Sequence, residues 1–196
     1  MTNYILHGLQ EAHETLNATL NDSVFLKSFA EATEILVDAF KNNRRVYSCG
    51  NGGSMCDSMH FAEELTGRFR KDRSPLPATA ISDPGYISCV SNDFGYDHIF
   101  SRYIEGWGNS GDVLLAITSS GNSPNVIKAV EVAKSKGMKT IALLGKGGGQ
   151  LKPLVDIALV VPFTKNTDRV QEIHIKLIHL FIEGVERKLF PANYIN

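Results

Sequence analysis

From Arg45 onward the chain alternates short apolar runs, rich in β-branched residues, with stretches of helical periodicity. The runs end in Gly, Ser, Asn or Asp. That alternation constrains the fold more than any other feature, because repeated βαβ units build a parallel sheet that must be covered on both faces. Five runs read as strands: Arg45–Cys49, Leu76–Ser82, Asp112–Ile117, Lys139–Leu144 and Asp156–Val161. Helical spacing covers Met55–Thr66, Tyr86–Asn92, His98–Trp107, Asn125–Lys136 and Asp168–Leu189. The expected architecture is α/β: a three-layer α/β/α sandwich around a five-stranded, mostly parallel sheet.

Two helices are expected ahead of this core. One carries Leu6, Leu9, His13, Leu16 and Leu20; the other carries Phe25, Phe29, Ala32, Leu36, Ala39 and Phe40. Asn21-Asp22-Ser23 separates them and offers caps for the second. Their apolar residues need a surface, either the sheet or a partner chain. With no repeat, low-complexity tract or linker, the 196 residues read as one domain. It divides into leading helices over 1–43, an α/β core over 44–190 and a short tail over 191–196.

Composition narrows the function classes. Lys plus Arg number 20 and Asp plus Glu 21, for a formal net charge of -1. That balance argues against a dedicated nucleic-acid binder but leaves room for a local anion site. A hydrophobic share of 43% argues against disorder. The amino terminus lacks the basic and apolar regions of a signal peptide, and no run approaches the roughly 20 apolar residues of a membrane span. Cys49, Cys56 and Cys89 show no CxxC spacing, which fits reduced thiols. A cytoplasmic chain is the expectation.

Open parallel sheets bind ligands beyond the carboxyl ends of their strands. Two of the loops expected there are unusual. The first reads Ser48-Cys49-Gly50-Asn51-Gly52-Gly53-Ser54 and leads into a helix, where glycines admit close backbone approach and free N–H groups favour an anion. The second reads Ile117-Thr118-Ser119-Ser120-Gly121-Asn122-Ser123-Pro124. Ser123 suits an N-cap and Pro124 the N1 position, which leaves the Thr118-Ser119-Ser120 hydroxyls over. Neither loop is a Walker A or a GxGxxG motif. Such residues also make ordinary turns, but two such loops after two parallel strands favour a phosphorylated small molecule.

On the helix after the first loop, Asp57, His60 and Glu64 share a stripe while Glu63 points away. A His–Glu pair at this spacing can share a metal or poise a carboxylate beside an imidazole; it can equally be a surface hydrogen bond. On the last helix Asp168, Gln171 and His179 fall on one side, and His174 falls among Leu177, Ile178 and Phe181. His174 therefore reads as a core or interface residue and His179 as a candidate ligand or acid. A solvated polar face accounts for Asp168, Gln171, Glu172 and His179 as well. The Arg68-Phe69-Arg70-Lys71 run reads as a solvated helix end, with Arg68 the member to test for a phosphate or subunit contact.

Five segments in this order resemble the sugar isomerase (SIS) domain, a flavodoxin-like fold. Within it they resemble the branch that acts on sedoheptulose 7-phosphate. They are SCGNGGSMCDSMHFAEELTGRFR, AISDPGYISCVSNDFG, GDVLLAITSSGNSPNVIKAV, GMKTIALLGKGGG and DRVQEIHIKLIH, from about residue 45 to 180. The resemblance implies that His60, Glu64, Gln171 and His179 hold one zinc ion per subunit. It implies that Asn51, Gly52, Gly53, Asn92, Asp93, Thr118, Ser119, Ser120 and Ser123 hold the substrate, with Glu64 and Gln171 touching both metal and sugar. Thr118 stands where the family often has Ser.

The implied reaction interconverts sedoheptulose 7-phosphate and D-glycero-D-manno-heptose 7-phosphate through a cis-enediol, the first step towards ADP-heptose and the heptose core of lipopolysaccharide. Glu64 is the expected base and His179 the partner acid. Asp168 or a metal-bound water is the alternative for proton transfer. A homotetramer with sites at subunit interfaces is also implied. Two other functions remain open at this level: a non-catalytic SIS module that binds a replication initiator, and an isomerase of another sugar phosphate.

Overall fold

The computed structural model describes residues 2–162 and 166–195. It opens with helices α1 (Asn3–Leu20) and α2 (Ser23–Lys41), followed by strand β1 (Val46–Gly50) and helix α3 (Gly53–Thr66). Then come β2 (Ala78–Ala80), α4 (Pro84–Phe94), α5 (Ile99–Trp107), β3 (Val113–Thr118) and α6 (Pro124–Ser135). β4 (Lys139–Leu144), β5 (Ile157–Val160) and α7 (Thr167–Leu189) complete the fold, and a short 3-10 turn covers Pro191–Tyr194. The strand order is β2-β1-β3-β4-β5 and all four pairings are parallel, so the sheet is wholly rather than mostly parallel.

Local chemistry sets the boundaries. Asp22 starts α2 by accepting a hydrogen bond from the Phe25 amide at 2.9 Å. Asp83 does the same for the Tyr86 amide with Pro84 at N1, so α4 begins two residues before the periodicity shows it. β2 is shorter than its apolar run, because it is an edge strand and Pro77 has no N–H to give the ladder.

The two faces of the sheet carry separate cores. On one, Val46, Val113, Leu115, Ile117, Ile141 and Leu143 meet α2, α3 and α7 through Leu36, Phe61, Leu65, Ile173, Ile178 and Phe181. On the other, Tyr47, Leu114, Ala116, Ala142 and Leu144 meet α4, α5 and α6 through Val90, Phe100, Ile104, Val126 and Val130. Each Val, Leu, Ile or Phe among them contributes about 1.5–3 kcal/mol when fully buried. α2 thus takes the sheet as its surface. α1 rides outside on α7 and leaves Tyr4, Ile5, Leu6 and Leu9 exposed. Among the described residues no helix is long and apolar enough to cross a membrane.

His174 lies in the first core, fully buried, with Nε2 3.2 Å from the Leu144 carbonyl oxygen and no partner on Nδ1. Burial pushes its pKa down to about 4 against the pull of that hydrogen bond. The fold favours the neutral ring, so as pH falls the unfolded chain takes up the proton first. The resulting stability is complete above the ordinary histidine pKa and is lost as pH falls towards 4, by roughly 3 kcal/mol. His174→Gln keeps a donor for Leu144 but cannot titrate. Its melting temperature should fall less than that of the unsubstituted protein between about pH 7 and 4.5.

Candidate active site

The first loop leaves the carboxyl end of β1. Gly52 takes a φ of 56°, open mainly to glycine, and its carbonyl accepts the amides of Met55 and Cys56 to start α3. Asn51 pairs reciprocally with Asn125 on the first turn of α6. Each amide nitrogen donates to the other's oxygen at 2.9 Å, and the Tyr96 hydroxyl donates to Asn51 Oδ1 at 3.0 Å. Asn125 is buried and also caps the Val126 amide. The amide pair locks the first loop to the second.

In the second loop Thr118 is buried and its hydroxyl lies 3.4 Å from Ser120 Oγ and 3.1 Å from Ser123 Oγ. Ser123 holds the N-cap position of α6 with Pro124 at N1, yet its side chain makes no capping bond. The capping expectation for its hydroxyl is therefore corrected: the hydroxyl turns into the loop, since Asn125 satisfies the Val126 amide instead. Ser119 and Ser120 are half-buried beside it. Gly121, at φ 66°, passes so close to the third loop that a Cβ there would sit 2.0 Å from the Gly148 carbonyl oxygen. The Gly145–Gly149 loop is thus a buttress for the hydroxyl-bearing turn, a role that turn-residue reasoning left unassigned.

The first core sets α3 against α7 just beside these loops. His60 Nε2 and His179 Nε2 face each other at 3.0 Å, and Glu64 Oε1 lies 3.8 Å from His60 Nε2. Gln171 lies across the start of α3, where a Cβ on Gly53 would meet its Nε2 at 2.5 Å. The Gln171 amide thus packs directly over the bare Cα of Gly53. Glu63, expected to point away, instead brings Oε1 to 3.2 Å from His60 Nδ1. For the neutral ring, a carboxylate there favours the tautomer with the proton on His60 Nδ1 and Nε2 towards His179. Burial, then the charge of His60, lowers the pKa of His179, while Glu64 opposes them. Asp57 completes the stripe with a buried, unpartnered Oδ2, and burial lifts its carboxyl to about 6.

Other expected positions lie apart from this group. Asp168 is 61% exposed on the first turn of α7, 3.6 Å from Arg169. Asn92 and Asp93, on the last turn of α4, bond to each other at 2.8 Å, and Cys89 Sγ lies 3.7 Å from Asp93. Arg68 is exposed. Its neighbours are not wholly solvated: the Phe69 ring lies tilted with its centroid 5.8 Å from that of His179, and Arg70 pairs with Glu183 at 2.8 Å.

Two nitrogens bound to one tetrahedral zinc stand about 3.3 Å apart, given Zn–N distances of about 2.0–2.1 Å. The His60–His179 separation of 3.0 Å is about 0.3 Å shorter than that, the length of a direct hydrogen bond, while two imidazoles and a carboxylate are a donor set that suits a borderline cation. Among the described residues, however, no three His, Cys, Asp or Glu side chains converge as a ready metal site. The group fits a metal as a facing pair with Glu64 alongside.

Comparison with known proteins places this architecture. A family profile described as "SIS domain" matches residues 9–145, and the five-stranded α/β/α fold is of that class. Phosphoheptose isomerases from Glaesserella parasuis and Pectobacterium atrosepticum are 55% and 56% identical to the chain. The alignments cover 93% and 92% of it, and 95% and 94% of those proteins, taking in the α7 segment that the profile leaves out. The solved phosphoheptose isomerase structure from Neisseria gonorrhoeae superposes with a TM-score of 0.82 at 36% identity, over 92% of this chain and 98% of that one. That from Francisella tularensis gives 0.85 at 35%, over 95% and 96%. The chain therefore belongs to the SIS domain family and, within it, to the phosphoheptose isomerase family.

The buried amide pair yields a test. Asn125→Ala leaves the Asn51 amide nitrogen without its acceptor, while Tyr96 still serves Asn51 Oδ1 and the Ser123 carbonyl still accepts the Val126 amide; it should cost about 1–3 kcal/mol in denaturant unfolding.

Proposed function

We propose that the protein interconverts sedoheptulose 7-phosphate and D-glycero-D-manno-heptose 7-phosphate as a ketose–aldose isomerase. The observation that carries this reading is the meeting of His60 and Glu64 with His179 beside two anion-suited loops, in a chain 52–56% identical to phosphoheptose isomerases over most of its length. A binding module has no need of that constellation.

The isomerisation moves a proton between C1 and C2 through a cis-enediol. It requires a base near the carbon-bound proton and donors for the two oxygens. Glu64, half-buried at the mouth of the α3–α7 contact, is assigned as the base. His179, with its lowered pKa, is neutral at physiological pH, and a neutral imidazole still donates its N–H to an oxygen. Asp168 is the reserve for proton transfer. His60, Glu64, Gln171 and His179 would hold a zinc ion, whose chemistry when bound is to polarise the carbonyl and adjacent hydroxyl. Glu63 would orient His60 from behind.

Thr118, Ser119, Ser120 and Ser123 are assigned to the phosphate, and Asn51, Gly52, Gly53, Asn92, Asp93 and Gln171 to the sugar. The groove of about 560 Å³ beside α1 is lined by Tyr4, Leu9, His13 and Arg169 rather than by these loops. The exposed Tyr4, Ile5, Leu6 and Leu9 support assembly of copies, which we take to be a homotetramer with sites at its interfaces. The product would enter ADP-heptose synthesis for lipopolysaccharide in the cytoplasm.

Incubation with sedoheptulose 7-phosphate should yield the aldose. A zinc chelator should abolish turnover and added zinc restore it. Absence of product with zinc present would refute the reading. Ser120→Ala should raise KM for the phosphorylated sugar about tenfold with kcat within about twofold. An unchanged KM would remove Ser120 from phosphate binding.

A further inference from the structure

Arg73 lies outside every motif of the site, yet its side chain is fully buried and every hydrogen bond it makes is aimed. Its Nε donates to Glu186 Oε1 at 2.8 Å. Its Nη2 donates to the Glu64 carbonyl at 2.6 Å, and Nη1 to the carbonyls of Leu65 at 2.8 Å, Gly67 at 3.0 Å and Ser74 at 3.3 Å. Glu186 is buried too, and its other oxygen accepts from the Tyr194 hydroxyl at 2.7 Å. The tail around Tyr194 folds back on the same region: Asn193 donates to the Asp72 carbonyl at 3.1 Å, and the Arg187 guanidinium lies 4.5 Å from the Tyr194 ring centroid.

We propose that Tyr194, Glu186 and Arg73 are positioning residues that hold Glu64 in register with His179, and that the carboxy-terminal tail is thereby part of the catalytic apparatus. The last four carbonyls of a helix lack intrahelical partners. At the end of α3 the guanidinium fork takes those of Glu64 and Leu65, so it grips the backbone of the proposed base itself. Glu186 follows His179 by seven residues, two turns along the same face of α7. One buried fork therefore ties the end of α3 that carries Glu64 to the helix that carries His179. An apolar contact would hold two helices together as firmly, since burying an ion pair costs much of what it returns. What the planar fork adds is a fixed geometry. Tyr194 completes it, because Glu186 Oε2 would otherwise be buried without a donor.

The proposal rests on the isomerase reading for its kinetic readout and on the geometry alone for its crystallographic one. Tyr194→Phe removes one hydroxyl from the full-length protein. Arg73→Lys keeps the charge opposite Glu186 but loses the fork over the carbonyls. Assayed below their melting temperatures, both should lose kcat, by roughly tenfold for Tyr194→Phe, with KM within about twofold. Crystals of Tyr194→Phe should show the Glu64 carboxylate displaced by about 1 Å relative to the His179 ring. A lower melting temperature with kcat unchanged would make the network a structural brace and overturn the proposal. So would an unmoved Glu64 in the crystals. If Arg73→Lys does not fold, Tyr194→Phe decides alone. Unsubstituted protein without turnover would refute the isomerase reading, and the crystal comparison would still decide this one.

Discussion

The contact between α3 and α7 is the interaction on which the rest of the molecule depends. A parallel sheet buried on both faces needs helices against each, and here one face is covered by α2, α3 and α7 together. Phe61 and Leu65 of α3 and Ile173, Ile178 and Phe181 of α7 pack into one core with the sheet. That apolar packing sets the polar edges of the two helices side by side: His60 and Glu64 meet His179 there, and Gln171 lies over Gly53 at the start of α3. The placement of these polar side chains is thus a by-product of how the sheet is covered.

On the proposed reading, anion recognition in this fold needs no excess of basic residues. The net charge is -1, and the second loop offers hydroxyls from Thr118, Ser120 and Ser123. Its shape is fixed from two sides: the Asn51–Asn125 pair ties it to the first loop, and Gly121 seats it on the Gly145–Gly149 turn. A preorganised loop binds without the entropy of ordering itself. A buried asparagine and a close glycine contact therefore hold the shape in which the hydroxyls are presented.

The five strands and seven helices were legible because each carries its own periodicity, and the end of each strand pointed to the loops that bear the unusual residues. Neighbours one turn apart were legible too, as with His60 and Glu64. Pairings across the chain were not. His60 and His179 are 119 residues apart, Arg73 and Glu186 are 113 apart, and Asn51 and Asn125 are 74 apart. Periodicity alone left Gln171 and His179 as a solvated face, and only the family likeness drew them into the site. Glu63 was misread for a local reason. A helical-wheel argument places its Cβ away from the stripe, but a flexible side chain reaches back to His60 Nδ1. Ser123 was assigned to capping because sequence reasoning could not see that Asn125 already does that work.

The central claim is that α3 and α7 build one catalytic constellation, and a double-mutant cycle on His60→Ala and His179→Ala tests it most directly. Groups that act as a unit are strongly non-additive. The account predicts that the double variant loses about as much kcat/KM as the worse single variant. Losses that multiply, as for two independent residues, would contradict it.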